Sequence, residues 1–236
     1  MATIGIIIPG NLSKAALNAR VLHLKRFITP PDEISVFTFQ GEIKEIRTGA
    51  DVSLLAPETV RLAVLAEQEG CDAVIIHGIC DFGIEAARGA VDIPVVGLGS
   101  SVIHLACQLG DRYGVVSKSD VTIPEFTRRI QLMGCAARMT SMRPLNIAES
   151  ALINKTHELR KRFLEIARYQ IDQEGAHVIV AGYSAIFGML PEGSREEMEN
   201  ILGVPVLDGV AVACKTAKMW VELSLRQSRK AYPKMT

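Results

Sequence analysis

Glu69-Gly70-Cys71-Asp72-Ala73-Val74-Ile75-Ile76-His77-Gly78 reads as a helix end, a glycine, a buried strand and a small-residue turn. Glu174-Gly175-Ala176-His177-Val178-Ile179-Val180-Ala181-Gly182-Tyr183 repeats that order. Each stretch leads into a helix and then a strand opened by proline, Ile93-Pro94-Val95-Val96 in one case and Val204-Pro205-Val206-Leu207 in the other. The spacing from glycine to proline differs by six residues, which fits an insertion around Leu190-Pro191-Glu192-Gly193. Two matching pairs in the same order imply a duplicated α/β lobe.

Working outward, β-branched runs alternate with amphipathic stretches. Ile4 to Ile8 reads as a buried strand closed by Pro9-Gly10-Asn11, and Ser13 caps a helix to about Phe27. Ile34 to Phe39 is a second strand, and Pro57 sits near the start of a helix that ends before Gly70. Tyr113 to Ser117, Ala137 to Met142 and Val178 to Ala181 continue the series, with a long helix over Ala151 to Gln173. Strands alternating with helices predict right-handed βαβ units and parallel sheets. The fold class is α/β, with two similar lobes, each a mainly parallel sheet flanked by helices, and a cleft between them. Ligands of such sheets sit beyond the carboxyl ends of the strands, so the turns there carry the function.

Composition narrows the classes. Lys+Arg and Asp+Glu are both 26 in 236 residues, so the balance excludes a strongly basic nucleic-acid binder and argues against a polybasic membrane-surface protein. Apolar residues at 48% exclude a mainly disordered chain, while only 5% are aromatic, so the core is aliphatic. No apolar run is long enough for a membrane span, and the N-terminus lacks the basic region of a signal peptide. Five cysteines with no C-x-x-C pair point to reduced thiols and a cytoplasmic protein rather than a disulfide or zinc framework. The histidines lack ligand-like spacing, and no phosphate-binding glycine motif is present, so neither a metal nor a nucleotide is expected.

At the strand-end turns the chain resembles the aspartate/glutamate/hydantoin racemase superfamily, nearest its hydantoin and allantoin branch. The likeness runs through Gly70 to Ile76, Asp81-Phe82-Gly83-Ile84-Glu85-Ala86-Ala87-Arg88, Pro94 to Leu98, His104-Leu105-Ala106 and Tyr113 to Ser117. Thr122-Ile123-Pro124, Gly203 to Asp208 and the helix from Val210 to Ala217 complete it. Ile8-Pro9-Gly10-Asn11 is similar to the corresponding turn of maleate isomerases and arylmalonate decarboxylases. The resemblance implies a two-lobed enzyme without cofactor or metal, with a small-molecule substrate, and a homo-oligomer. It also implies that the C-terminal segment returns to the first lobe, giving residues 1–112 plus 208–236 and residues 113–207. In that family one thiol from each lobe handles the proton on a carbon beside a carbonyl, and thiols suit the task because their pKa lies near neutrality.

Alignment through Gly70, Asp72, Asp81 and Gly83 puts Gly78 at the first thiol position, and the same count from Gly175 puts Tyr183 at the second. The catalytic candidates are therefore Cys80, two residues beyond Gly78, with Asp81 beside it, and Tyr183. Cys80 is a reactive thiol flanked by His77 and Asp81 or a small packed side chain. Tyr183 is a proton donor to an enolate or an aromatic plug. Candidate substrate-binding residues are Pro9, Asn11, Gly78, Ile79, Ser100, Ser101, Ser117, Lys118, Ser184 and Ala185. Ser100 and Ser101 open a helix after Leu98, as caps or as an anion site. Lys118 is a solvated lysine, a counter-charge for an anionic substrate, or a cation that favours the Tyr183 phenolate. The expected substrate is a small carbonyl or carboxylate compound or a cyclic ureide. The expected chemistry is enolate formation, as a racemase or isomerase of hydantoin type. The alternatives are a lyase, decarboxylase or ring hydrolase using one proton-transfer residue, or a small-acid binding protein without turnover.

Overall fold

The computed structural model describes residues 1–10, 12–39, 48–147 and 156–234. Asn11 and the first five residues of the helix expected from Ala151 lie outside them. Packing divides the chain into two compact units, Met1–Ser101 with Val210–Thr236, and Val102–Gly209.

The first unit is built on strands β1 (Thr3–Ile8), β2 (Glu33–Thr38), β3 (Ala73–Ile76) and β4 (Val95–Gly97), in the order β2-β1-β3-β4. All three pairings are parallel. Its helices are α1 (Lys14–Leu24), α2 (Gly49–Gln68), α3 (Ile84–Ala90) and the start of α4 (Leu98–Leu109). β1 and β3 are buried on both faces, with Ile4, Ile6, Ile7 and Ile8 at most 1% exposed, as strands covered by helices require. The core continues into the C-terminal helix Gly209–Glu222 through Val210, Ala213, Cys214 and Ala217.

The second unit uses β5 (Tyr113–Ser117), β6 (Met139–Pro144), β7 (Val178–Gly182) and β8 (Val206–Leu207), in the order β6-β5-β7-β8 and again all parallel. Counted within its own sheet, each unit therefore has the strand order 2-1-3-4. The two stretches that echo each other in sequence form the third strand of each sheet. Helices α5 (Ile123–Leu132), α6 (Thr156–Asp172), α7 (Ile186–Met189) and α8 (Ser194–Leu202) complete this unit, and α9 is the helix Gly209–Glu222. Leu159, Phe163, Ile166, Ala167 and Gln170 are the buried face of α6, at the spacing an amphipathic helix requires.

Three local expectations shift. Helix α2 begins at Gly49 with Thr48 as its cap, so Pro57 lies inside it rather than near its start. A reciprocal capping box sets the start: Thr48 N–H donates to Asp51 Oδ2 at 2.7 Å, and Asp51 N–H to Thr48 Oγ1 at 3.2 Å. Burial of Leu55, Leu62, Ala63 and Ala66 against the sheet offsets the proline. The strand expected over Ala137 to Met142 starts at Met139, after a 3-10 turn at Ala136–Arg138. Helix α4 starts at Leu98, so Ser100 and Ser101 lie in its first turn rather than capping it.

Both fourth strands are closed along the side away from the third strand by side chains. In β4 the Val95 N–H donates to Gln227 Oε1 at 3.2 Å, and Gln227 Nε2 donates to the carbonyls of Ile93 (2.9 Å) and Val91 (3.4 Å). In β8 the Val206 N–H donates to Glu199 Oε2 at 3.0 Å, and Arg195 Nη1 donates to the Val206 carbonyl at 3.1 Å. Neither edge presents bare backbone to a further strand.

Candidate functional site

In the first unit the informative residues gather where β1, β3 and β4 end. Asp81, only 1% exposed, adopts a left-handed backbone (φ 49°) and turns its carboxylate toward the start of α4. The Gly99 N–H donates to Oδ1 at 2.7 Å and the Ser100 N–H to Oδ2 at 2.8 Å. Glycines shape the receiving turn: a Cβ at Gly97 would stand 2.4 Å from the Asp81 carboxylate, and one at Gly99 would stand 2.0 Å from the Ile79 carbonyl. A carboxylate at a helix N-terminus satisfies donors that the helix itself leaves open and complements its dipole. These two N–H groups are thus engaged from within the chain. The hydroxyls of Ser100 and Ser101 donate to the Gly97 carbonyl at 3.3 and 2.7 Å.

Gly78 lies in the turn just after β3, with its N–H donated to the Ile76 carbonyl at 3.0 Å. A Cβ there would lie 2.2 Å from Cε2 of Phe82. The Phe82 ring, itself 5% exposed, fills the space into which a side chain at position 78 would project. Cys80 is 7% exposed in the same turn, beside the partly buried Ile79. Pro9 is partly buried at the end of β1. His77 is buried, and burial first, then the Arg20 guanidinium, pulls its pKa down to about 3. It is therefore a neutral imidazole near pH 7 and a weak base. Arg20 and His23 both come from α1 and are buried. Neither Phe82 nor this pair is among the candidate site residues that the sequence suggests. An aromatic residue four positions after Gly78 was the available signal for the first.

In the second unit the parallel register pairs Ser117 of β5 with Gly182 of β7. The next residues in each chain segment, Lys118 and Tyr183, therefore emerge side by side at the carboxyl end of the sheet. Lys118 Nζ lies 5.4 Å from the Tyr183 ring centroid, within range of a cation–π contact. The partly buried ring rests on the core that includes Val116, Leu145, Ile186 and Phe187. The Tyr183 carbonyl accepts the Ile186 N–H at 3.1 Å, which turns the chain into α7. Ser184 is partly buried and Ala185 is 3% exposed. Ser117 is buried, with its Oγ 3.2 Å from Thr122 Oγ1, and the carbonyls of Ser117 and Lys118 accept N–H groups of Leu145 and Asn146. Each unit thus collects its own set: Pro9, Gly78, Ile79, Cys80, Asp81, Ser100 and Ser101 in the first, and Ser117, Lys118, Tyr183, Ser184 and Ala185 in the second. Among the described residues no group of three or more His, Cys, Asp or Glu side chains is placed to hold a metal ion.

One family model, Asp/Glu/Hydantoin racemase, matches residues 4–217, and the chain belongs to this family. Among curated relatives, a hydantoin racemase of Paenarthrobacter aurescens is 28% identical over 166 residues, covering 70% of this chain and 68% of that protein. Among solved structures, the allantoin racemase from Pseudomonas fluorescens superposes with a TM-score of 0.87 at 26% identity, over 98% of this chain and 97% of that one. The maleate isomerase from Pseudomonas putida S16 shares the fold at a TM-score of 0.67 and 14% identity, over 95% and 93% of the two chains.

Proposed function

We propose that this enzyme forms an enolate from a small cyclic ureide or carboxylate of hydantoin type, without cofactor, and that Tyr183 moves the proton. The carrying observation is Lys118 Nζ at 5.4 Å from the Tyr183 ring, at the carboxyl ends of two paired strands. A free phenol has a pKa of about 10 and is a poor base near neutrality. A neighbouring ammonium favours the phenolate and repels nothing on an anionic substrate, so it aids both proton removal and substrate binding. Lys118 is the positioning and charge partner, and Ser184 adjoins Tyr183 as a hydroxyl contact. Within the first unit Asp81 holds the start of α4, and the proposal gives it no proton to move. The relatives' racemase names supply the hydantoin and allantoin substrate class.

A second reading has its own observation. The Phe82 ring fills the side-chain space of Gly78, so that turn supplies no proton donor from position 78. A reaction served from one face only, such as decarboxylation or elimination, then fits as well as racemisation.

Both readings are tested by incubating each enantiomer of hydantoin derivatives and of allantoin in heavy water, followed by proton NMR and chiral chromatography. Exchange at the α-carbon with loss of optical purity supports the racemase. Exchange with retained configuration supports one-face chemistry. No exchange and no product with any of these compounds refutes the enolate proposal for this substrate class. Full exchange by a Tyr183→Phe variant refutes the assignment of the proton to Tyr183.

A further inference from the structure

The turn after β5 carries Lys118 and is held from two sides. From within, the Thr122 hydroxyl donates to the Ser119 carbonyl at 3.0 Å and lies 3.2 Å from the Ser117 hydroxyl. From outside, Asn146, two residues beyond the end of β6, reaches the turn at three points. Its backbone N–H donates to the Lys118 carbonyl at 3.1 Å. Its side-chain Nδ2 donates to Asp120 Oδ2 at 2.7 Å, and its Oδ1 accepts the Asp120 N–H at 3.3 Å. The amide thus both gives a hydrogen bond to Asp120 and takes one from it, and the bond it gives has a charged acceptor. Asn146 has a left-handed backbone (φ 52°), which asparagine adopts more readily than most residues. Just before it, the Leu145 N–H donates to the Ser117 carbonyl at 2.9 Å.

We propose that Asn146 is a positioning residue: by clasping the Lys118 carbonyl and Asp120, it holds the Lys118 ammonium over the face of Tyr183. Its part in the chemistry rests on the reading of Tyr183 as the proton carrier. Ser117 is fixed by its pairing with Gly182, but Lys118 lies one residue past the last rung of that ladder. The lysine ammonium rides on a long flexible stem, so it meets the ring only when the backbone beneath it points that way. The bond to the Lys118 carbonyl and the clasp on Asp120 fix the turn at Lys118 itself and again two residues further on. Nζ then stands 5.4 Å from the ring centroid. Asn146 touches the reaction only through Lys118, and Asp120 acts as the far anchor of the clasp.

The test labels the full chain with carbon-13 lysine and assigns the Lys118 side-chain signal by its loss in Lys118→Met. Methylene protons over a ring face are moved upfield by the ring current. That upfield shift is expected in the unmodified chain and in Tyr183→Phe, which keeps the ring, and is expected to vanish in Tyr183→Leu. Asn146→Gly keeps the left-handed backbone and the N–H to Lys118 but removes the clasp, and is expected to lose most of the shift. Asp120→Ala is expected to lose it too and decides the matter if the glycine variant fails to fold. Asp120→Asn restores an oxygen acceptor and is expected to recover it. In the heavy-water exchange assay near pH 7, Asn146→Gly and Lys118→Met are each expected to lower kcat about tenfold, the effect of withdrawing one nearby charge from a proton carrier. The double variant is expected to fall no further than Lys118→Met alone. An upfield shift that survives in both Asn146→Gly and Asp120→Ala, or losses that multiply in the double variant, overturns the proposal. If no compound exchanges, the enolate reading fails and the ring-current shift alone decides the clasp. Full exchange by Tyr183→Phe, with the shift still lost in Asn146→Gly, refutes the chemistry and upholds the clasp.

Discussion

Replacing Asp81 by asparagine isolates one charge in the strand-end cluster. Asparagine adopts the left-handed backbone found at this position as readily as aspartate, so the change leaves the turn unstrained. It keeps one oxygen acceptor but turns an amide N–H₂ toward the second donor of the α4 start. The loss is one hydrogen bond to a charged acceptor, about 1.5–3 kcal/mol, together with roughly 0.3–1 kcal/mol of charge–dipole attraction at the helix terminus. A total of about 2–4 kcal/mol corresponds to a fall in Tm of about 4–16 °C for a chain of this size. Asp81→Ala leaves both N–H groups without an acceptor and is expected to cost more, about 3–5 kcal/mol. Differential scanning calorimetry and urea titration give the stability, and amide exchange at Gly99 and Ser100 reads the cap directly. Both amides are expected to exchange faster in the asparagine variant. A variant with unchanged Tm and unchanged protection at these amides, but with no enolate chemistry, would refute the cap and return Asp81 to the proton-transfer step.

Three further outcomes are expected. Tyr183→Phe keeps the ring against the core and removes the hydroxyl, so kcat is expected to fall by about 100–10,000-fold while Tm moves little, read by polarimetry and calorimetry. Gly78→Ala pushes a methyl group into Phe82 and is expected to cost about 1–3 kcal/mol; a double-mutant cycle with Phe82→Leu, measured by urea unfolding, should recover part of that loss. His77 makes stability depend on pH. Its folded pKa, about 3, lies below the unfolded value of 6.5, so the unfolded chain binds the extra proton between those values. The contribution is therefore fully present above about pH 6.5 and is lost as pH falls toward 3, on the order of 5 kcal/mol in all. His77→Gln is expected to flatten the acid limb of a urea-midpoint profile, and an unchanged slope would contradict the buried neutral imidazole.

The repeat of Gly70 to Gly78 in Gly175 to Tyr183 was legible because a buried parallel strand has a strong signature: β-branched residues between a helix-ending glycine and a small-residue turn. It placed the third strand of both sheets, and with them Lys118 and Tyr183, since β5 and β7 pair directly. What stayed hidden depends on contacts across sequence. Asp81 meets the N–H groups of Gly99 and Ser100 only because β3 and β4 are neighbours. A glycine at position 78 reads as an empty place, whereas the ring that fills it comes from Phe82. The start of α2 was missed because Pro57 is the stronger local mark than Thr48 and Asp51, although the capping box outranks it.

The two sheet edges were sealed by different chemistry, and this makes them unequal toward ionic strength. The β4 seal combines the uncharged Gln227 amide with Arg88, whose Nε donates to the Val95 carbonyl at 3.2 Å, and these are hydrogen bonds to neutral backbone groups. The β8 seal relies on the half-exposed Arg195–Glu199 ion pair, whose attraction added salt screens. Concentrated salt should therefore loosen the β8 border more than the β4 border, so that two halves sharing one strand order answer differently to a saline environment.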